Sequence, residues 1–172
     1  INCPNEEKLK KLKKGALLIG LLNPFGNKNL GQLLIDQNLS AISLELLPRI
    51  SRAQSSDVLS SQANIAGYKS VLLAANELDR YFPMLMTAAG TVQPAKVVVL
   101  GGGVAGLQAV ATAKRLGALV FVSDIRPAVK EQVESLGAKF IRLPEIEEKP
   151  SESGGYAKAV SSKFLEEQRE IL

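Results

Sequence analysis

The run Lys96-Val-Val-Val-Leu-Gly-Gly-Gly-Val-Ala-Gly-Leu-Gln108 places Gly101, Gly103 and Gly106 in a G-x-G-x-x-G spacing directly after a β-branched stretch. Residues 96–100 read as a short β-branched strand and 104–116 as a helix, which is the context this motif requires to hold a dinucleotide. Gly101 allows the tight turn, Gly103 lets the backbone approach a pyrophosphate, and Gly106 lets helix and strand lie close together. The first helical amides, those of Val104, Ala105 and Gly106, have no carbonyl one turn back, so they and the positive helix end face the phosphates. A second apolar stretch, 118–122, leads to Asp124, which lies 23 positions after Gly101. An acid about 20 residues beyond the first glycine accepts hydrogen bonds from an adenosine ribose and repels the extra phosphate of NADP. The expected preference is therefore NAD. Asp124, Ile125 and Arg126 form the candidate adenosine side, and Arg126 weakens the preference because a nearby arginine accommodates a 2'-phosphate in many such folds. A tight turn alone is the competing reading of a bare glycine pattern; the order strand, turn, helix, strand, acid argues against it.

The 172 residues contain no histidine. The commonest general acid-base group and most zinc patterns are thereby removed, so the chemistry should need little proton transfer. Hydride transfer between two cofactors meets that condition, because positioning and exclusion of water are the main tasks left to the protein. The net charge of +4 is concentrated at the start: residues 1–14 hold Lys8, Lys10, Lys11, Lys13 and Lys14 against Glu6 and Glu7. These lysines read as a solvated helix face, and with no aromatic residues among them nucleic-acid binding is not expected. No stretch reaches the roughly 18 to 20 apolar residues of a membrane span, and no signal-peptide pattern opens the chain. The single Cys3 excludes an internal disulfide framework and fits a reducing compartment.

The elements that must position these residues follow from periodicity and turn signals. Residues 16–22 read as a buried strand ended by Asn23-Pro24-Phe25-Gly26, 29–37 as a helix and 41–47 as a second strand parallel to the first. From Ser55 to about Tyr81 there is no proline, and one long helix of about 40 Å is expected. Ser55 or Ser56 can cap it, Asp57 complements its positive end, and Ser60, Ala63, Ala66 and Gly67 are small enough to admit another backbone. Residues 90–94 read as a link, 127–136 as a helix, 139–143 as a third short strand, 144–156 as an exposed loop and 157–172 as a charged helix. The expected fold class is α/β, with two Rossmann-like parallel-sheet domains joined by a long helix, both incomplete because a doubly wound domain has five or six strands. The expected boundaries are 1–54, 55–82 and 83–172, in a chain truncated at both ends.

The segment Arg49-Ile-Ser-Arg-Ala-Gln-Ser-Ser-Asp-Val-Leu-Ser-Ser-Gln-Ala-Asn-Ile-Ala-Gly-Tyr68, with Pro83-Met-Leu-Met-Thr-Ala-Ala-Gly90 and the glycine run, closely resembles the NAD(H)-binding domain I of proton-translocating NAD(P) transhydrogenases, alpha subunit. The likeness extends from about Ala16 onward and implies kinship with alanine dehydrogenases. It implies Re/Si-specific hydride transfer between NAD(H) bound here and NADP(H) on a partner domain, coupled to proton translocation by membrane domains elsewhere. It implies a homodimer on the cytoplasmic face of a bacterial inner membrane or the matrix face of a mitochondrial one. It also implies that Arg49, Gln54, Asp57 and Ser60 surround the nicotinamide with Tyr68 near them, and that Gly154, Gly155 and Tyr156 tip a loop closing over the nucleotide.

Read without the resemblance, Arg49 and Asp57 are a structural ion pair, Gln54 a loop amide, Ser60 a surface hydroxyl and Tyr156 a loop aromatic. An amide such as Gln54 donates and accepts without titrating, which suits orienting two cofactors. Ser56 and Gly102 depart from the family's pattern, standing where many relatives carry a methionine and a larger residue. Two other functions fit the same residues: an alanine dehydrogenase, which would need acid-base groups, and a non-catalytic NAD-binding fragment.

Overall fold

Asn5 opens the first helix, α1 (Glu6–Lys10), by accepting a hydrogen bond from the Lys8 amide on its side-chain oxygen. Glu6 and Glu7 sit at the positive end of α1 and Lys8 and Lys10 at the negative end, so the charges complement the helix dipole. The lysines are exposed, as expected, and within α1 Leu9 alone turns inward. The computed structural model describes residues 3–142 and 162–171. It divides into two compact units, Ile1–Ser61 and Gln62–Leu172.

In the first unit, β1 (Leu17–Gly20), α2 (Leu30–Asp36) and β2 (Ser40–Ser43) follow in order. The two strands run parallel, with Leu17 opposite Ser40 and Gly20 opposite Ser43. Leu9, Leu22 and Leu30 form the core, edged by Cys3, Leu18, Leu33 and Leu34. Two expectations are corrected. The apolar run 16–22 is not buried on both faces, because Leu17 and Ile19 are 56% and 54% exposed. The second strand stops at Ser43 instead of continuing to 47, and Leu44–Leu46 winds into a 3-10 turn. That turn brings the Glu45 carboxylate back to accept from the Leu22 and Asn23 amides and from the Ser43 hydroxyl. Burial acts to raise the Glu45 pKa, and those hydrogen bonds outweigh it and hold the group below the usual glutamate value.

The long helix is shorter than its composition suggests. Ser51–Ser56 is a 3-10 turn, and α3 spans Val58–Glu77, 20 residues, or about 30 Å where about 40 Å is expected. Neither Ser55 nor Ser56 caps it. Asp57 does, with its carboxylate accepting from the Ser60 amide and hydroxyl. An aspartate is the stronger cap where the adjacent helix start offers both a main-chain and a side-chain donor.

In the second unit, β3 (Leu85–Thr87) and β4 (Gly90–Val92) form an antiparallel hairpin where the sequence suggests only a link. Its tip is closed by Thr87, whose hydroxyl donates to the Gly90 carbonyl and accepts from the Ala89 amide. Gly90 has φ +125°, open to glycine and strained for other residues. The glycine-rich segment then gives β5 (Lys96–Leu100), α4 (Val104–Arg115), β6 (Leu119–Ser123), α5 (Val129–Ser135) and β7 (Lys139–Phe140). The three strands are parallel in the order β5-β6-β7. Val120 and Val122 of β6 lie in one core with Ala109, Val110 and Ala113 of α4, Val133 of α5, and Ala138. Gly117 and Gly137, at φ +90° and +76°, follow the ends of α4 and α5, where a left-handed residue satisfies the last carbonyls. A last helix, α6 (Ser162–Ile171), lies within the stretch expected to be helical. The expected loop 144–156, with Gly154, Gly155 and Tyr156, lies outside the described residues, as does residue 143 at the end of the expected third strand.

Small residues on α3 do admit another backbone, at one position. A Cβ on Gly67 would stand 2.0 Å from the Ala105 carbonyl oxygen. Asn64 ties the same crossing by donating to the Gln108 side chain at 2.9 Å. The first turn of α4 is therefore seated directly against α3. Gly67→Ala should destabilise the fold by about 1 to 3 kcal/mol through overpacking against main chain. Urea denaturation with unchanged midpoint would show that the two helices separate without penalty.

Candidate functional site

Three of the glycines in 101–106 stand where the chain itself forbids a side chain, and one does not. Gly101 has φ +94°, a conformation other residues rarely adopt. A Cβ on Gly106 would lie 1.8 Å from the Gly101 carbonyl oxygen. A Cβ on Gly102, which is buried, would lie 2.2 Å from Val129 Cγ1. Valine is stiff at χ1, so it cannot swing aside cheaply. Gly103 differs: its backbone is extended, at φ −76° and ψ −169°. Among the described residues, no atom lies within 4 Å of where its Cβ would be. Gly103 is also the N-cap of α4, and no side chain caps that end. The amides of Val104, Ala105 and Gly106 follow it with no intrahelical acceptor.

The acid expected on the ribose is at the end of β6, and it is already engaged. Asp124 Oδ2 accepts from the Gly102 amide at 2.6 Å and from Arg126 Nη2 at 2.9 Å. Oδ1 accepts from the Arg126 amide at 2.8 Å and from Arg126 Nε at 3.0 Å. The guanidinium fork thus meets the carboxylate with two parallel bonds, the strong geometry for this pair. Burial acts to raise the Asp124 pKa; the bonds from the Arg126 side chain, the Gly102 amide and the Arg126 amide, with the arginine's charge, overcome it and hold the carboxyl below the ordinary range. Ile125, between them, is half-buried. Beside Asp124, the Ser123 hydroxyl accepts from Gln168 Nε2 of α6 at 3.1 Å. Gly102 and Val129 carry no motif of their own, so sequence reasoning does not find their contact; three consecutive glycines are the one available signal.

In the first unit, Gln54, Asp57 and Ser60 come together at the start of α3. The Gln54 carbonyl accepts from the Asp57 amide at 3.2 Å, while the Gln54 side chain belongs to an exposed residue. Asp57 Oδ1 accepts from the Ser60 amide at 3.0 Å and Oδ2 from the Ser60 hydroxyl at 2.7 Å. The hydroxyl expected to face a ligand is thus committed to the aspartate. The amide and hydroxyl of Ser60 lower the Asp57 pKa against a small burial effect, and the positive charge of Arg49 lowers it further. Tyr68 lies farther along α3, in the second unit, and is 49% exposed.

Because the folded Asp124 carboxyl titrates below an unfolded aspartate, its contribution to stability is complete above about pH 4 and is lost as pH falls through its folded value. Asp124→Ala should lower stability at pH 7 by about 1 to 3 kcal/mol, since the Gly102 amide and Arg126 lose their acceptor. Denaturation at both pH values should show that the gap between variant and wild type narrows at about pH 3; a constant gap would mean that the carboxylate's charge contributes nothing.

The described residues include no helix long and apolar enough to cross a membrane. The alanine dehydrogenase/PNT N-terminal domain matches residues 1–66 and the alanine dehydrogenase/PNT C-terminal domain residues 70–169. A protein of Rhodospirillum rubrum named as belonging to NAD(P) transhydrogenase subunit alpha is 53% identical over 162 residues, 94% of this chain and 42% of that protein. The crystal structure of transhydrogenase from Sinorhizobium meliloti superposes with a TM-score of 0.80 at 53% identity, over 84% of this chain and 42% of that one. An L-alanine dehydrogenase structure gives a TM-score of 0.65 at 30% identity, over 81% of this chain and 40% of that one. The chain therefore spans less than half the length of these relatives, and with both of its domain types matched in order it belongs to the alanine dehydrogenase/PNT family.

Proposed function

We propose that this chain is the NAD(H)-binding part of an NAD(P) transhydrogenase, passing hydride between NADH and NADP+ held on a partner domain. The observation that carries the reading is Gly103. Gly101, Gly102 and Gly106 are explained by the chain's own geometry, whereas nothing within the described residues requires Gly103 to lack a side chain. The open space at Gly103, the second glycine of the G-x-G-x-x-G spacing, lets a group from outside approach the backbone there. The extended backbone and uncapped amides there suit a diphosphate.

In this reading the amides of Gly103, Val104, Ala105 and Gly106 bind the phosphates across the turn made by Gly101. Asp124, Ile125 and Arg126 line the adenosine end. NADH, when bound, supplies the hydride from its nicotinamide ring. Arg49, Gln54, Asp57, Ser60 and Tyr68 serve the nicotinamide end, and Tyr156, outside the described residues, is a further contact to the nucleotide. Asp57 and Ser60 brace each other and the helix start, so the turn carrying Gln54 is held rigid, and a non-titrating amide orients the ring without exchanging protons with it. Proton translocation belongs to transmembrane domains of the same enzyme. The chain works as a homodimer on the cytoplasmic or matrix face of that membrane, and the exposed Met84 and Met86 at the β3-β4 hairpin supply apolar surface for a second copy.

Gly103→Ala should weaken NADH binding at least about tenfold while changing stability by less than about 0.5 kcal/mol, the range for a substitution that meets no neighbour. Gly106→Ala should instead destabilise the fold. Calorimetric titration beside urea denaturation separates the two, and NADH affinity unaffected by Gly103→Ala would remove the main support for the site. With the NADP(H)-binding partner added, Gln54→Ala should slow stopped-flow hydride transfer far more than it weakens NADH binding, because orientation is what the amide supplies. Turnover of alanine with NAD, and no hydride transfer from NADH to NADP+ on the added partner domain, would transfer the chain to the dehydrogenase branch of its family.

A further inference from the structure

We propose that Arg126 is an internal stand-in for the ribose diol of NAD. Its guanidinium occupies on Asp124 the two acceptor positions that the diol would take, so it must leave when the nucleotide binds. The inference rests on the nucleotide site proposed above and concerns which donors the Asp124 carboxylate exchanges there. A carboxylate offers about four lone-pair positions. On Asp124 four donors are placed: the Gly102 amide, the Arg126 amide, Arg126 Nε and Arg126 Nη2. The two amides are fixed by the turn after β5 and by the turn after β6. The two guanidinium donors sit on a long flexible side chain. They are therefore the pair that can be exchanged.

A vicinal diol matches what the guanidinium presents. It offers two O–H donors side by side, aimed at two oxygens of one carboxylate, as the fork does with its two N–H groups. The Asp124 side chain is 5% exposed, and that of Arg126 is 22% exposed. The carboxylate is thus nearly closed off from solvent, and the arginine paired with it is the more exposed of the two. A buried carboxylate stripped of half its donors is costly, so the arginine keeps the carboxylate satisfied until the diol replaces it one bond for one. The exchange also bears on cofactor choice. A ribose carrying a 2'-phosphate has only one of the two hydroxyls to offer and brings negative charge to the carboxylate that Arg126 would vacate.

This predicts opposite signs for stability and affinity. Arg126→Ala should lower the melting temperature of the free chain, because Asp124 loses two donors. It should tighten NADH by roughly three- to tenfold, the span of one or two net hydrogen bonds no longer displaced. NADPH should gain less, so discrimination against it should widen. Arg126→Lys, which keeps the charge but offers no planar fork, should fall between the two. Calorimetry with NADH and with NADPH, on wild type and both variants, with thermal melts of the free chains, decides the matter. A variant that is both less stable and weaker for NADH would make Arg126 an ordinary structural partner and overturn the proposal, as would a selective loss of NADPH binding, which would place the arginine on the 2'-phosphate. Those results leave the nucleotide site standing. Wild type and every variant failing to bind NADH would remove the site itself and the inference with it.

Discussion

One carboxylate holds the glycine-rich turn in place. Asp124 reaches from the end of β6 to the amide of Gly102 in the turn after β5, and to main chain and side chain of Arg126 in the turn that follows. Two adjacent strand ends are joined there by a charged acceptor in a buried position, where such bonds are stronger than at the surface and where an unfilled acceptor is costly. The turn that presents the α4 amides is thus fixed by the same group that would read the sugar. Binding and folding share one residue, so a change at Asp124 acts on both.

The glycines divide the remaining work. Gly101 and Gly106 allow the chain to turn and the helix to approach the strand, Gly102 makes room for Val129, and Gly67 lets α3 rest on the backbone of α4. Gly67, Gly102 and Gly106 each remove a collision within the protein, and Gly101 holds a positive φ. Gly103 removes none among the described residues, and in the proposed reading its openness admits the nucleotide. In the first unit, the start of α3 is built on a similar economy of groups: Asp57 caps the helix through Ser60 and is steadied by the charge of Arg49.

Much of this is legible in the sequence. The strand, helix, strand order around the glycines appears in the structure within a residue or two of its expected bounds, because β-branched runs, a helical spacing of small and apolar residues, and glycines at both turns all point the same way. The start of α3 lies one or two residues later than the serines suggest. Serines are good caps, but Asp57 finds two donors on Ser60, and the preceding residues tighten into a 3-10 turn. The β3-β4 hairpin escapes sequence reasoning because its strands are three residues each and its turn uses Ala88 and Ala89, which carry no turn signal. The strand after α2 is shorter than its apolar run because Glu45 reads as one polar residue within that run until its carboxylate is seen to close on Leu22 and Asn23.

The amino-acid sequence by itself determined the local elements, the glycine turn and the acid that follows it, since propensity, period and turn chemistry are properties of neighbouring residues. It also carried the family likeness through the polar stretch 49–68. The tertiary structure alone decided what those groups touch. Gly102 and Asp124 are 22 positions apart and meet only because β5 and β6 pair in parallel register, Leu100 opposite Ser123. That pairing brings the Gly102 amide onto the carboxylate, which Arg126 reaches from only two positions along the chain. Hydrogen-bond partners and empty space are set by distances in the folded chain, and no one-dimensional pattern contains them.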